Sequence, residues 1–141
     1  MTPESVHQLR KSFQRIEAQG HVAALAFYQR LFEIDPTLRP LFRNNIEAQA
    51  TKLMEMLSVA LAMLDRPDQL RATLEDLGAR HVGYGVKDSH YATVGTALID
   101  MLADVLGHDF NPSLRASWIE LLASISAMML TGAARARSLV H

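Results

Sequence analysis

The stretch LGARHVGYGVKDSHYATVG, Leu77 to Gly95, decides how this chain is read. An apolar stripe at helical spacing, Leu70, Leu74 and Leu77, continues four residues on at His81. Residues so spaced lie on one helix face. A loop with Gly83 and Gly85 follows, and a second helical pattern opens near Asp88, a residue that can cap it. The face of that helix is Tyr91, Val94, Leu98, Met101, Leu102 and Val105, and Gly107 ends it. An ionisable ring therefore stands where the pattern calls for a core residue. Two readings are open: a core histidine satisfied by a backbone carbonyl, or a ligand for something buried.

Working outward, the periodicity stays helical and no alternating strand pattern occurs. Thr2 and Pro3 form an N-cap and first helical position ahead of Val6, Leu9, Phe13 and Ile16. The next helix carries Leu25, Tyr28, Leu31 and Phe32 and stops at Asp35-Pro36. DPTLRPLF then holds two prolines four residues apart, which a long helix interior does not tolerate. It predicts a tight corner or a single short turn that offers Phe42 from a bend. From about Ile46 to Leu64 a long helix sets Gln49, Leu53, Met56, Leu57, Ala60, Leu61 and Leu64 on one stripe, before Arg66-Pro67-Asp68 breaks it. Asn111-Pro112 opens the last helix, with Leu114, Trp118, Leu121, Leu122, Ile125 and Met129. The expectation is an all-α fold of six to seven helices, one domain over residues 1–141.

Bulk composition narrows the function classes. Hydrophobic residues make up 49% and charged residues 21%, ordinary for a globular chain, and the net charge of -1 gives no general attraction to nucleic acid or anionic membranes. With no cysteine there is no disulfide, thiolate metal site or cysteine nucleophile. The first residues lack the apolar segment of a secretory signal, and no run reads as long enough to span a membrane. The expected compartment is the cytoplasm.

Gly83-x-Gly85 lacks the third glycine and preceding strand of a dinucleotide loop, and neither a P-loop, a nucleophile elbow nor HExxH occurs. His7, His21, His90, His108 and His141 fall near termini, helix boundaries or polar faces, where solvated or capping roles are ordinary. His81 alone continues an apolar stripe. One histidine cannot hold a bare ion, but it suffices as axial ligand to haem iron, whose porphyrin supplies the other nitrogens. Such a pocket needs a polar donor opposite the ligand, for which Gln49 or Tyr28 can serve. Phe42, Leu53, Leu57, Leu77, Val86 and Val94 can supply its apolar walls, although any helical core contains leucines.

Over nearly its whole length the chain resembles the single-domain bacterial globins related to the haem domain of flavohaemoglobins. The likeness is carried by AFYQRLF (26–32), DPTLRPLF (35–42), QATKL (49–53), RHVGYGVKDSHYATVG (80–95) and the approach from Asn111 to Trp118. The resemblance implies a globin fold enclosing haem b, with His81 as proximal iron ligand and Phe42 packed against the haem at the interhelical corner. It implies Tyr28 and Gln49 as distal hydrogen-bond donors and Leu53 as distal wall. Tyr91 matches a proximal-side tyrosine that helps fix the histidine ring. For Gln49 an exposed helix-start glutamine, and for Tyr28 a plain core tyrosine, stay open beside these roles.

The implied activity is reversible binding of dioxygen and other diatomic gases, such as carbon monoxide and nitric oxide, with high oxygen affinity. Retention that tight makes bulk delivery inefficient. It leaves two further readings: oxidation of nitric oxide with an external reductase, or sensing. A haem-free helical adaptor needs only the stripes and is the reading from a different class. Two features limit the transfer. No flavin or nicotinamide segment follows the last helix in these residues, and the place near Ala133, where flavohaemoglobins carry a glutamate linked to the proximal histidine and tyrosine, is apolar. Without that glutamate the oxidative role is weakened. The absence of histidine between Gln49 and Leu64 argues against a bis-histidine iron.

Overall fold

The computed structural model describes residues 1–42, 46–83 and 86–139; Gly85 of the quoted loop and His141 lie outside them. Among the described residues there are six α-helices and no strand. They are α1 (Pro3–Ala18), α2 (Gly20–Ile34), α3 (Ile46–Ala62), α4 (Pro67–Val82), α5 (Asp88–Leu106) and α6 (Pro112–Leu139). Two 3-10 segments, Pro36–Phe42 and Gly107–Asp109, make corners. The all-α expectation holds.

Local chemistry sets several of the boundaries. The Thr2 hydroxyl accepts the Ser5 N–H ahead of Pro3, and Asn111 Oδ1 accepts the Leu114 N–H ahead of Pro112. At α5 the expected cap is corrected. Asp88 is already the first helical residue, and its carboxylate pairs with Arg137 of α6 at 2.7 Å. Lys87 takes the N-cap position instead, and His90, at the third helical residue, reaches back so that its Nδ1 accepts the Lys87 N–H at 3.0 Å. DPTLRPLF winds as a 3-10 segment whose start is held by Asp35, which accepts both the N–H and the hydroxyl of Thr37.

Trp118, Leu9, Ile16, Leu31, Leu57, Leu74, Met101 and Leu121 form the centre of the core. Ser12 is the buried polar residue there, and both its functions are used. Its oxygen accepts the Trp118 Nε1–H at 3.0 Å and its proton goes to the Leu9 carbonyl at 2.8 Å, so the indole is buried without an orphan donor. One sequence expectation fails here. α6 is long and apolar enough over Pro112–Ser138 to cross a membrane. Its Trp118, Leu121, Leu122, Ile125, Met129 and Ala133 are nonetheless buried against the other helices, as in a core helix.

The packing pairs are α2 with α5 and α4 with α6, with α1 crossing α3, α5 and α6. Arg30 clamps the first pair through two hydrogen bonds to Asp104, at 3.0 and 3.1 Å. Helices α3 and α4 are consecutive and joined by a short turn, yet they do not pack along one another. Neighbours in sequence usually pair in helical folds. Here they part, and the residues that the sequence marks for the candidate site, Gln49 and Leu53 on α3 and Leu77 and His81 on α4, are divided between them.

Candidate functional site: the surroundings of His81

The stripe on α4 changes character along its length. Leu70 and Leu74 are buried, whereas Leu77 and His81 are only half-buried. The same partial cover recurs at Phe42, at Leu53, Met54 and Met56 of α3, and at Tyr91 and Val94 at the start of α5. These apolar side chains pack on the core with one side and leave the other uncovered. Val86, also half-buried, donates its backbone N–H to the His81 carbonyl at 3.3 Å, tying the approach to α5 to the end of α4.

The histidine geometry joins the two readings that the sequence left open. His81 Nδ1 lies 2.8 Å from the carbonyl oxygen of Leu77, one turn earlier. A carbonyl only accepts, so in the neutral ring the proton sits on Nδ1 and the lone pair on Nε2. The bond that satisfies one nitrogen thereby sets the tautomer and orientation that coordination by the other requires.

Across the corner, Tyr28 and Phe42 meet edge to face with ring centroids 5.4 Å apart. Phe32 completes the cluster, 6.0 Å from Tyr28 and 5.9 Å from Phe42, and Phe27 lies 5.0 Å from Tyr28. The part of Phe32 was missed from sequence, although its place four residues after Tyr28 on one helix face is a usable signal. The Arg39 guanidinium lies over the Phe32 ring at 5.3 Å. Gln49 is half-buried in the first turn of α3. Among the described residues neither its amide nor the Tyr28 hydroxyl makes a hydrogen bond.

Tyr28 is 4% exposed, and burial pushes its hydroxyl from the ordinary 10.0 to about 12. The neutral, donating form is therefore kept far into alkali. A raised folded pKa contributes stability fully present below the unfolded value of 10.0 and lost as pH climbs through about 12. An ultraviolet titration is expected to show late tyrosine ionisation in that window, accompanied by falling stability, and Tyr28→Phe is expected to diminish both, leaving the part that comes from Tyr91, whose pKa is also raised. Ionisation of Tyr28 near its ordinary value would contradict this.

Two residues expected at the pocket have neighbours of another kind in the structure. Leu57, expected on the pocket wall, is 2% exposed and sits where α3 crosses α1. It lines a void of about 10 Å³ together with Phe13, Ile16, Met101 and Trp118, so it is a core residue. Tyr91, expected to help fix the histidine ring, makes no hydrogen bond to it, and the Leu77 carbonyl holds Nδ1. Its hydroxyl is buried without a hydrogen-bond partner, and burial first, then the Asp88 charge, raises its pKa. The ring lines a separate groove between α5 and α6, and Ala133, 1% exposed, offers no carboxylate.

The globin family model matches residues 25–129. This chain is a member of the globin family. Among relatives, this globin is 28% identical to Neuroglobin-2 of Oncorhynchus mykiss, over 96% of its own length and 94% of the other's. It is 32% identical to the neuroglobin of Tetraodon nigroviridis over 77% of each chain. Two solved structures share the fold. One, a hexacoordinated haem protein from an anhydrobiotic tardigrade, has a TM-score of 0.84 at 18% identity, covering 94% of this chain and 95% of that one. The other is an engineered carbene transferase made from a nitric oxide dioxygenase candidate of Rhodothermus marinus. Its TM-score is 0.85 at 25% identity, with 99% and 98% covered. The globin is thus similar to flavohaemoglobin-like proteins as well as to neuroglobins.

Proposed function

We propose that this globin binds haem through His81 and reversibly holds a diatomic gas, dioxygen first, against Tyr28 and Gln49. The observation that carries the reading is the Leu77 carbonyl on His81 Nδ1, at the half-buried end of the α4 stripe. The donor set fits. Among the described residues no three histidine, aspartate or glutamate side chains gather to cage a bare ion, so a single imidazole calls for a metal carried in a macrocycle. A chain without cysteine cannot attach that macrocycle by thioether bonds, which favours haem b. The incompletely covered faces of Phe42, Leu53, Leu77 and Val94 suit a flat apolar group, with Val86 at its edge.

Haem, when bound, supplies an iron with one open position and makes the outer end of a bound gas a hydrogen-bond acceptor. His81 presents Nε2. Tyr28 holds its proton and donates it, and Gln49 donates from its amide. Phe42 and the aliphatic walls exclude water. Helix α3 contains no histidine, so it cannot supply a second imidazole.

The second reading is nitric oxide dioxygenation with a separate reductase, favoured by the likeness to the Rhodothermus marinus protein. Against it stand the unpartnered Tyr91 hydroxyl and the buried Ala133, which leave His81 without the acidic network that raises imidazole basicity. Binding is therefore placed ahead of turnover. Haem titrated into the purified apo-protein is expected to saturate at one per chain, and the reduced form to take up carbon monoxide. Failure to bind haem would sink both readings. Sustained nitrate production with a supplied reductase would move the assignment to the second.

A further inference from the structure

Helix α4 carries His81, and its support is one-sided: it lies on α6 and does not pack along α3. The closest approach is at two glycines. A Cβ added at Gly78 would overlap the Met129 carbonyl, and one added at Gly132 would overlap the Glu75 carbonyl. Each glycine admits the backbone of the opposite helix. Neither has a positive φ, so closeness rather than conformational freedom is what requires them. A glycine in a helix interior costs about 1 kcal/mol against alanine. Two such sites facing each other need a packing reason, and the crossing supplies it. Glu75 pairs with Arg135 at 2.9 Å across the same joint, with its side chain only 16% exposed.

Gly78 stands three residues before His81 and next to Leu77, whose carbonyl holds the imidazole. We propose that the Gly78–Gly132 crossing sets the depth of α4 on α6, and through it the position of His81 relative to the iron it holds. The two glycines are positioning residues for gas affinity, an assignment that rests on the haem-binding reading above. Helix α6 cannot give way, because Trp118, Leu121, Ile125 and Met129 anchor it in the core. α4 can, because among the described residues its extensive packing is with α6 alone. A methyl group at the crossing therefore moves α4, and its last turn carries the imidazole along. A displaced anchor strains the iron–imidazole bond, and a strained proximal bond holds the sixth ligand less well.

The decisive variant is Gly132→Ala, on a helix that contributes no side chain to the proposed pocket. It is expected still to take up one haem per chain. Its reduced, ligand-free form is expected to show the iron–histidine stretching band at lower frequency by resonance Raman spectroscopy. Oxygen release should quicken by roughly tenfold, inside the hundredfold that an ångström of misplacement can cause. Leu114→Ala, at the far end of α6, should lower Tm without moving the band, which separates positioning from general destabilisation. Should Gly132→Ala fail to fold, Arg135→Gln loosens the same joint without a clash and is expected to shift the band less, in the same direction. A native band with native oxygen release in the folded variant overturns the proposal. If the wild-type protein takes up no haem, the functional reading falls. The crossing is then judged in the apo-protein, where unchanged hydrogen exchange along α4 in Gly132→Ala overturns it.

Discussion

His81→Ala is expected to abolish the histidine-ligated absorption spectrum and to lower haem retention more than any other single substitution in the chain. Loss of a partner that only orients a metal ligand lowers affinity by about 10- to 100-fold. Loss of the ligand itself should exceed that. The geometry makes the expectation specific to this imidazole. Its tautomer is set by the Leu77 carbonyl, and it ends a stripe that runs from buried Leu70 and Leu74 to half-buried Leu77. His90 is the informative control, because its Nδ1 is engaged by the Lys87 N–H. His90→Ala removes one side-chain hydrogen bond at the start of α5, should cost about 1 kcal/mol and leave the spectrum unchanged. Imidazole added to His81→Ala should restore a ligated spectrum, since the vacated space is that of the missing ring. Matching spectra for wild type and His81→Ala would return His81 to the core and take the gas-binding reading with it.

His81 was legible in the sequence because ionisable side chains rarely continue an apolar stripe, and the one place where the pattern broke its own rule was the candidate site. The helix starts at Thr2 and Asn111 were legible for a similar reason: capping needs particular side chains at particular offsets. What stayed hidden depends on neighbours that periodicity does not name. Leu53 and Leu57 share a stripe on α3, but Leu57 is buried, against α1, while Leu53 packs on the core with one side only. Tyr91 lies on the expected face of α5, yet whether its hydroxyl reaches an imidazole depends on which acceptor was already there. Asp88 is a good capping residue by type. It is instead the first helical residue, its carboxylate taken by Arg137 of α6, while Lys87 holds the N-cap position and donates its N–H to His90. Gly78 and Gly132 left a sequence signal that was not used: glycines inside two otherwise regular helices, with no turn to explain them. Their meaning lies in the opposite helix, and only the fold identifies it.

The distal side leads to the second large effect. In a dry pocket a hydrogen bond to a partly charged ligand contributes roughly 1.5–3 kcal/mol. At about 1.4 kcal/mol per tenfold, that corresponds to about 10- to 100-fold in oxygen affinity. Most of such a change falls on release rather than capture, because the bond forms only after the gas has arrived. Tyr28→Phe keeps the ring that packs on Phe27, Phe32 and Phe42 and removes only the donor, so it should accelerate oxygen dissociation by about that factor with little loss of stability. Gln49→Leu removes the amide from a half-buried position in the first turn of α3, and a similar but smaller effect is expected from its partial exposure. Because both donors address one acceptor, the double variant should lose less than the product of the two single effects. Carbon monoxide, a poor hydrogen-bond acceptor, supplies the internal control, and its release should change little in either variant. Tyr28 keeps its proton to about pH 12, so the oxygen effect should be flat across the neutral range. Unchanged oxygen release in both single variants would remove Tyr28 and Gln49 from the distal side while leaving His81 as the ligand, since the two halves of the pocket rest on separate observations.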